Sequence, residues 1–502
     1  MSTHLARSPE RAPRAASREG RRRPAFAGYV RAPSAAMLVG LLCSCLSNPG
    51  EAPPTGLLLS PIATAMRQPS SGAPTHLLVL NSNFNLRYAG GSLHSYDLDV
   101  LNATIDAACV APRAGLSDAE CRETEGCAVP EACVVVPEQL ERVDDAGGQL
   151  IVTTAPGLLV GEVRVGSYGS SVALDAAGER VYLGIRADAD ITVVDLEADG
   201  GLRCGGNAGE VHECDAAHRH VDQTLAAARG LSLQPDPLGL SVRPLADLVA
   251  GEEGSAIIVA HRSGTASFLI DRGDGLTMVD SIDGFSSELI AATLGPDGAV
   301  WMPSALSPLI ARIGVGLDGS ADIAVEDGLL YNAGLARVAG VTGDGTLDAR
   351  GVAFDSQGNT LVLTRLPGTL VVAQGGLQPD GRLSVVDSVE VGVGPSRLRV
   401  VTLHGREFAF VSCFDSRDVY VVDLVARELT AVVRGMTGPF EFEVDTVRER
   451  AYIADFRTSV LRVVDLAPML ACLDEPGVPG RECAPQLLGL IGRPTTLQGG
   501  LR

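Results

Sequence analysis

The 502-residue chain is 46% apolar and 20% charged, with 58 Gly and 29 Pro, a globular and turn-rich composition that excludes an extended disordered polymer. Its formal net charge is −21, and because the first 44 residues hold eight Arg against Glu10 and Glu19, the remainder carries about −27. No cationic run follows that start, which excludes nucleic acid and anionic membrane surfaces as partners, and the complete absence of Lys excludes a lysine Schiff base.

At the N-terminus, a basic stretch from Arg7 to Arg31 leads into the apolar run Ala35-Ala36-Met37-Leu38-Val39-Gly40-Leu41-Leu42 and then Cys43-Ser44-Cys45. These are the three parts of a secretory signal, and the run is well short of the roughly 20 apolar residues that a membrane-spanning helix needs. Leu42-Cys43-Ser44-Cys45 resembles a bacterial lipobox, whose last Cys is acylated and becomes the new N-terminus. The resemblance implies a signal peptide over 1–45, lipidation at Cys45 with Cys43 as the alternative, and an outer-membrane lipoprotein facing the periplasm or the exterior. Membrane attachment is then through the lipid only. Residues 46–74, rich in Pro, Gly and Ser, read as a flexible tether.

From Thr75 onward one unit recurs: an apolar strand, a turn with Asp or Gly, a second strand often carrying Tyr, a polar gap, and a third strand ending in Asp-Leu. A first copy closes at Asp97-Leu98. An insertion at 105–150 then brings Cys109, Cys121, Cys127 and Cys133 together among Asp, Glu, Pro and Gly; exported chains keep disulfides, and these four leave three connectivities open. The clearest copy is Val172-Ala173-Leu174-Asp175, Arg180-Val181-Tyr182-Leu183 and Ile191-Thr192-Val193-Val194-Asp195-Leu196. A second insertion, 200–235, carries Cys204 and Cys214, spaced for a stapled loop, with His212, His218 and His220 beside Asp215 and Asp222. Imidazoles so spaced are candidates for a bound copper or zinc ion; a disulfide at Cys214 removes its thiolate from such a site. Weaker copies follow at 257–271, 295–298 and 352–363. Two strong ones close the series, Phe408-Ala409-Phe410-Val411 with Asp418-Val419-Tyr420-Val421-Val422-Asp423-Leu424, and Val444-Asp445 with Arg450-Ala451-Tyr452-Ile453 and Val463-Val464-Asp465-Leu466. Between the last strands, Cys472 and Cys483 flank a Pro- and Gly-rich segment that reads as another disulfide loop, while Cys413 sits in an apolar strand as a buried thiol.

Val419-Tyr420-Val421-Val422-Asp423-Leu424, Arg180-Val181-Tyr182-Leu183 and Arg450-Ala451-Tyr452-Ile453-Ala454 resemble the YVTN repeat of bacterial surface-layer and exported propellers. A period near 40 with several strands per unit is a propeller signature in its own right. The expectation is therefore an all-β chain: one β-propeller over 75–496, with about seven four-stranded blades and disulfide-bearing loop insertions. The motif specifies packing and turns and names no reaction.

In a propeller, the loops leading into the innermost strands form the channel mouth. The repeat alignment places Asn83, Asn85, Arg87, Glu288, Arg350, Arg397 and Glu441 there, the charges of Arg87, Glu288, Arg350, Arg397 and Glu441 converging on one axis to hold a polar or ionic ligand. No nucleophile elbow, phosphate-cradling loop or haem motif is present, so no catalytic residue is assigned. The expected role is a monomeric binding or scaffold module for an envelope protein or polysaccharide. Two rivals stand beside it: a hydrolase like the propeller lactonases, with Glu288 or Glu441 as base and an Arg as oxyanion partner, and a metal or redox protein using residues 212–222.

Overall fold

The computed structural model describes residues 50–69, 71–140, 150–205, 212–219, 231–273, 275–285, 288–305, 309–316, 329–338, 348–476 and 483–495. The lipobox with Cys43 and Cys45 lies outside them, as do His220 and Asp222. Among the described residues no helix is long and apolar enough to cross a membrane.

Short strands follow from short apolar runs, and the Asp residues that punctuate the repeat stop them. The Asp175 carboxylate accepts hydrogen bonds from the backbone N–H groups of Glu179 and Arg180. Asp355 does the same for Gln357 and Asn359, Asp423 for Val425 and Ala426, and Asp445 for Val447 and Arg448. A carboxylate that caps the turn makes a tight reversal cheaper than a continued strand. In the first of these turns Gly178 takes φ +68°, which a side chain would strain.

The result is a β-propeller. In the second unit Gly169–Leu174, Arg180–Ile185, Asp190–Leu196 and Leu202–Arg203 lie side by side, each antiparallel to the next. Seven strands hold the innermost position: Pro61–Arg67, Gly169–Leu174, Pro237–Pro244, Thr293–Leu294, Ala349–Phe354, Pro395–Leu403 and Pro439–Asp445. They follow one another around the ring, the fifth lying beside Val300–Pro303 of the fourth unit, and the last lies beside the first, so the ring closes. Val181, Leu183 and Val194 of the second unit are buried among Leu78, Leu80 and Val163 of the first. Its Tyr182, Ile191 and Val193 are buried among Ile257, Val259 and Leu269 of the third. Both faces of a sheet are thus covered, which is how such small sheets hide their apolar area.

The expectation of about seven separate blades is corrected to six hydrogen-bonded sheets. The fourth and fifth four-stranded units are fused: Arg337–Val338 pairs parallel with Arg382–Leu383, making one eight-stranded sheet. The tether is corrected as well. Within 46–74, Pro61–Arg67 is the innermost strand of the first unit, paired with His76–Asn81, and Leu58 and Leu59 are buried. Its residues, Pro-Ile-Ala-Thr-Ala-Met-Arg, lack the capping Asp that marks other strands, so the repeat pattern missed them.

The insertions finish exposed sheet edges. After the helix Leu98–Ile105, capped at its start by the Asp97 carboxylate, the chain crosses from the first unit to the last. There Cys133–Pro137 pairs parallel with Gln486–Ile491, and Ile151–Ala155 pairs parallel with Cys133–Pro137. The last sheet so gains two strands from the first unit's insertion, a clasp across the ring's seam. In the second insertion, His212–Glu213 pairs parallel with the outer strand Leu159–Val165 of the first unit. Disulfides join Cys109 to Cys133 and Cys121 to Cys127, settling the connectivity left open, and Cys204 to Cys214 and Cys472 to Cys483 as the spacing implied. Cys413 is buried and unbridged, and burial pushes its thiol up to about 12, so it is an inert core residue.

Candidate functional site: the channel mouth

Each unit sends its second strand toward the same end of the ring, turns there, and sends the next unit's inner strand back from it. That end holds a cavity of about 280 Å³, and every four-stranded unit contributes to its wall. Ile62, Ser170, Leu238, Ile290, Arg350, Ser396 and Phe440 come from the inner strands or the residues leading into them. Arg186, Arg262 and Arg365 directly follow the second strands Arg180–Ile185, Ser255–His261 and Thr360–Thr364.

With Arg350 and Arg397, five guanidinium groups line the cavity, against Glu288 as the lining carboxylate. Each is steadied by an acidic partner. Arg186 Nε donates to Asp236 Oδ1 at 2.9 Å, Arg350 Nη2 to Asp348 Oδ2 at 2.5 Å, and Arg365 Nη2 to Asp415 Oδ2 at 3.1 Å. Arg262 reaches Glu288 Oε1 through Nε and Nη2 at 3.3 and 3.1 Å. Arg397 donates from Nε to Glu441 Oε2 at 2.8 Å and from Nη1 to the Ser396 carbonyl at 3.2 Å, while lying 4.8 Å from the centre of the Phe440 ring. Partly exposed pairs of this kind add little stability. What they do is orient: a guanidinium carries five N–H groups in a rigid fork, these bonds use one or two of them, and the rest stay free to meet a ligand. A chain of net charge −21 has therefore gathered five cations around one small cavity.

Deeper in the channel, Arg399 Nη2 lies 2.6 Å from Glu443 Oε1, and its Nε lies 3.5 Å from Glu441 Oε1. Burial pushes the Glu443 carboxyl up to about 7 against the pull of Arg399, and the neighbouring Glu441 adds to the rise.

Of the residues expected at the mouth, Glu288, Arg350 and Arg397 line the cavity, and Glu441 stands directly behind Arg397. Asn83, Asn85 and Arg87 do not join them, which corrects that part of the expectation. Asn83 is buried at φ +47°, its amide donating to the Tyr88 carbonyl and Ser167 Oγ, so it builds its own loop. Asn85 accepts from the Arg87 N–H, and the exposed Arg87 lies over the Tyr88 ring. Arg186, Arg262 and Arg365 escaped the sequence reading, which aligned loops leading into inner strands. The signal was present: Ile185-Arg186, His261-Arg262 and Thr364-Arg365 repeat one position, the first residue past the second strand.

The motif residues serve another purpose. Arg180 and Tyr182 both bond Asp271 of the next unit, the tyrosine hydroxyl donating at 2.9 Å. Tyr452 and Arg450 bond Asn102, on the helix that leaves the first unit. They fasten neighbouring units at the end of the ring away from the mouth. As for the His cluster, Cys214 is in a disulfide, His218 Nδ1 lies 2.7 Å from Asp215 Oδ1, and His212 supplies its backbone to a strand. Among the described residues no three metal-ligating side chains converge.

No family model matches the sequence, and no curated protein matches it. Solved structures similar to the chain include the periplasmic gluconolactonase of Pseudomonas aeruginosa, at 14% identity over 74% of this chain and 84% of that one, TM-score 0.46. A putative 6-phosphogluconolactonase from Bacteroides uniformis is 15% identical over 74% and 83%, TM-score 0.42. The hydrazine synthase of Kuenenia stuttgartiensis is 11% identical over 81% and 95%, TM-score 0.44.

Proposed function

We propose that this chain is a non-enzymatic binding module of the cell envelope, carried on a lipid anchor at Cys45, whose channel mouth holds an anionic group of its ligand or partner. One observation carries the reading: five guanidiniums line one cavity, four of them fixed by acidic partners outside the lining and Arg262 by Glu288, the lining carboxylate. Arginines held this way are pre-organised, so little side-chain entropy is lost when an anion takes the remaining N–H groups.

Calorimetric titration of the purified full chain with sulfate tests it. Saturable binding is expected in the wild type, and the double variant Arg350→Gln/Arg365→Gln is expected to lose about tenfold or more in affinity, the scale of one lost charge-assisted contact. Equal affinity in variant and wild type would remove the mouth from consideration.

A hydrolase reading has one observation in its favour, the Glu443 carboxyl poised near 7 inside the channel, where a general base is most effective. Glu443 is held in an ion pair with arginine, as are Glu288 and Glu441, the bases expected from the sequence. A panel of lactones, run with wild type and Glu443→Gln, decides: hydrolysis above buffer that the substitution abolishes supports the enzyme, and rates equal to buffer dismiss it.

A further inference from the structure

Around the mouth, equivalent positions change chemical character. The residue just past the second strand is Arg186, Arg262 and Arg365 in the second, third and fifth units, but Phe414 and Phe456 in the sixth and seventh. Phe440, on the seventh inner strand, lines the cavity with the arginines. It lies 6.2 Å from Phe414 and 6.1 Å from Phe456 between ring centres, and Phe84 of the first unit continues the group at 5.4 Å from Phe456.

Packing explains part of this. Phe456 is 7% exposed and fills the seam between first and last units, but Phe84 is 44% exposed and its loop neighbour Leu86 is 55% exposed. Phe84 extends the aromatic group outward from the cavity, reaching Phe440 through Phe456. The cationic and aromatic parts also touch, since Arg397 lies over Phe440 and Arg457 over Phe414, at 4.8 and 4.3 Å from the ring centres. A bare inorganic anion uses only one side of such a wall, whereas a molecule with a flat apolar body and one charged end uses both.

Resting on the anion-binding reading above, we infer that the ligand is a small anion bearing an aromatic ring, its charge on the guanidiniums and its ring against Phe440 and the phenyl groups that adjoin it. The cavity, about 280 Å³, sets the scale at one or two fused rings.

The test is calorimetric titration of the full chain with three probes: 2-naphthoate, acetate and uncharged 2-naphthalenemethanol. The expected result is 2-naphthoate tighter than either control by about tenfold or more, the combined value of a ring contact and its buried area. Phe440→Leu, which keeps an apolar side chain and whose fold is checked by circular dichroism, should reduce the 2-naphthoate affinity several-fold more than the sulfate affinity, and equal losses for the two would count against the ring contact. Saturable sulfate binding with 2-naphthoate no tighter than acetate would overturn this inference alone. Absence of sulfate binding as well would overturn the reading on which it rests.

Discussion

Arginine meets carboxylate at both ends of the ring, and the two ends use the pairing differently. Away from the mouth, Arg180 and Tyr182 of one unit converge on Asp271 of the next, a carboxylate 1% exposed, which also accepts from the Gly273 N–H. Every group there is spent on its neighbour. At the mouth, Arg186, Arg350 and Arg365 each give one N–H to an acidic partner and keep the others over a cavity. The saturated pairing fastens units together; the unsaturated one holds a binding surface ready. The same two residue types thus build either a rivet or a receptor, according to how many hydrogen bonds the fold leaves unmade.

If the far end is structural, it should carry the largest loss of stability. Asp271→Ala strands Arg180 and the Tyr182 hydroxyl, and should cost about 4 kcal/mol in urea unfolding, in line with removing one partner of a buried charged group. An unchanged urea midpoint would erase the distinction. Next comes the clasp at the seam: replacing Cys109 and Cys133 by Ala frees the crossover between the first and last units and should cost about 3 kcal/mol. The mouth should behave in the opposite way, with Arg350→Gln/Arg365→Gln shifting stability by less than about 1 kcal/mol while sulfate binding collapses.

A further expected effect is a pH dependence inside the channel. Glu443 has its folded value raised to about 7 from an ordinary 4.5, so between those limits the folded chain holds a proton that the unfolded chain has released. Stability therefore falls as pH rises from 4.5 to 7 and levels off above. Glu443→Gln should flatten that decline in urea midpoints measured across the interval; a decline of the same size in the variant would assign it to other groups.

Much of this organisation is legible in the amino-acid order because it is local. Asp175, Asp423 and Asp445 cap turns within five residues of themselves, so their recurrence marks the strands directly. Glu288, Arg350 and Arg397 could be placed at the mouth because they sit at matching points in the repeat. What sequence order hides is long-range. Cys133–Pro137 belongs to the sheet of Gln486–Ile491, far along the chain, and the fusion of two units by Arg337–Val338 with Arg382–Leu383 depends on edge pairing that no local pattern encodes. Asn83 misled because a turn asparagine with its amide tied to Ser167 looks, in sequence, like a free one. The arginines at 186, 262 and 365 are scattered, and only the closed ring gathers them around one cavity.

The most direct measurement of that cavity is crystallographic: crystals of the chain soaked in bromide, with anomalous scattering collected at the bromine edge. The account predicts the strongest peak at the channel mouth, within contact of the guanidiniums of Arg186, Arg262, Arg350, Arg365 and Arg397, and its disappearance in Arg350→Gln/Arg365→Gln. Bromide distributed over the outer surface, with none at the mouth, would contradict it.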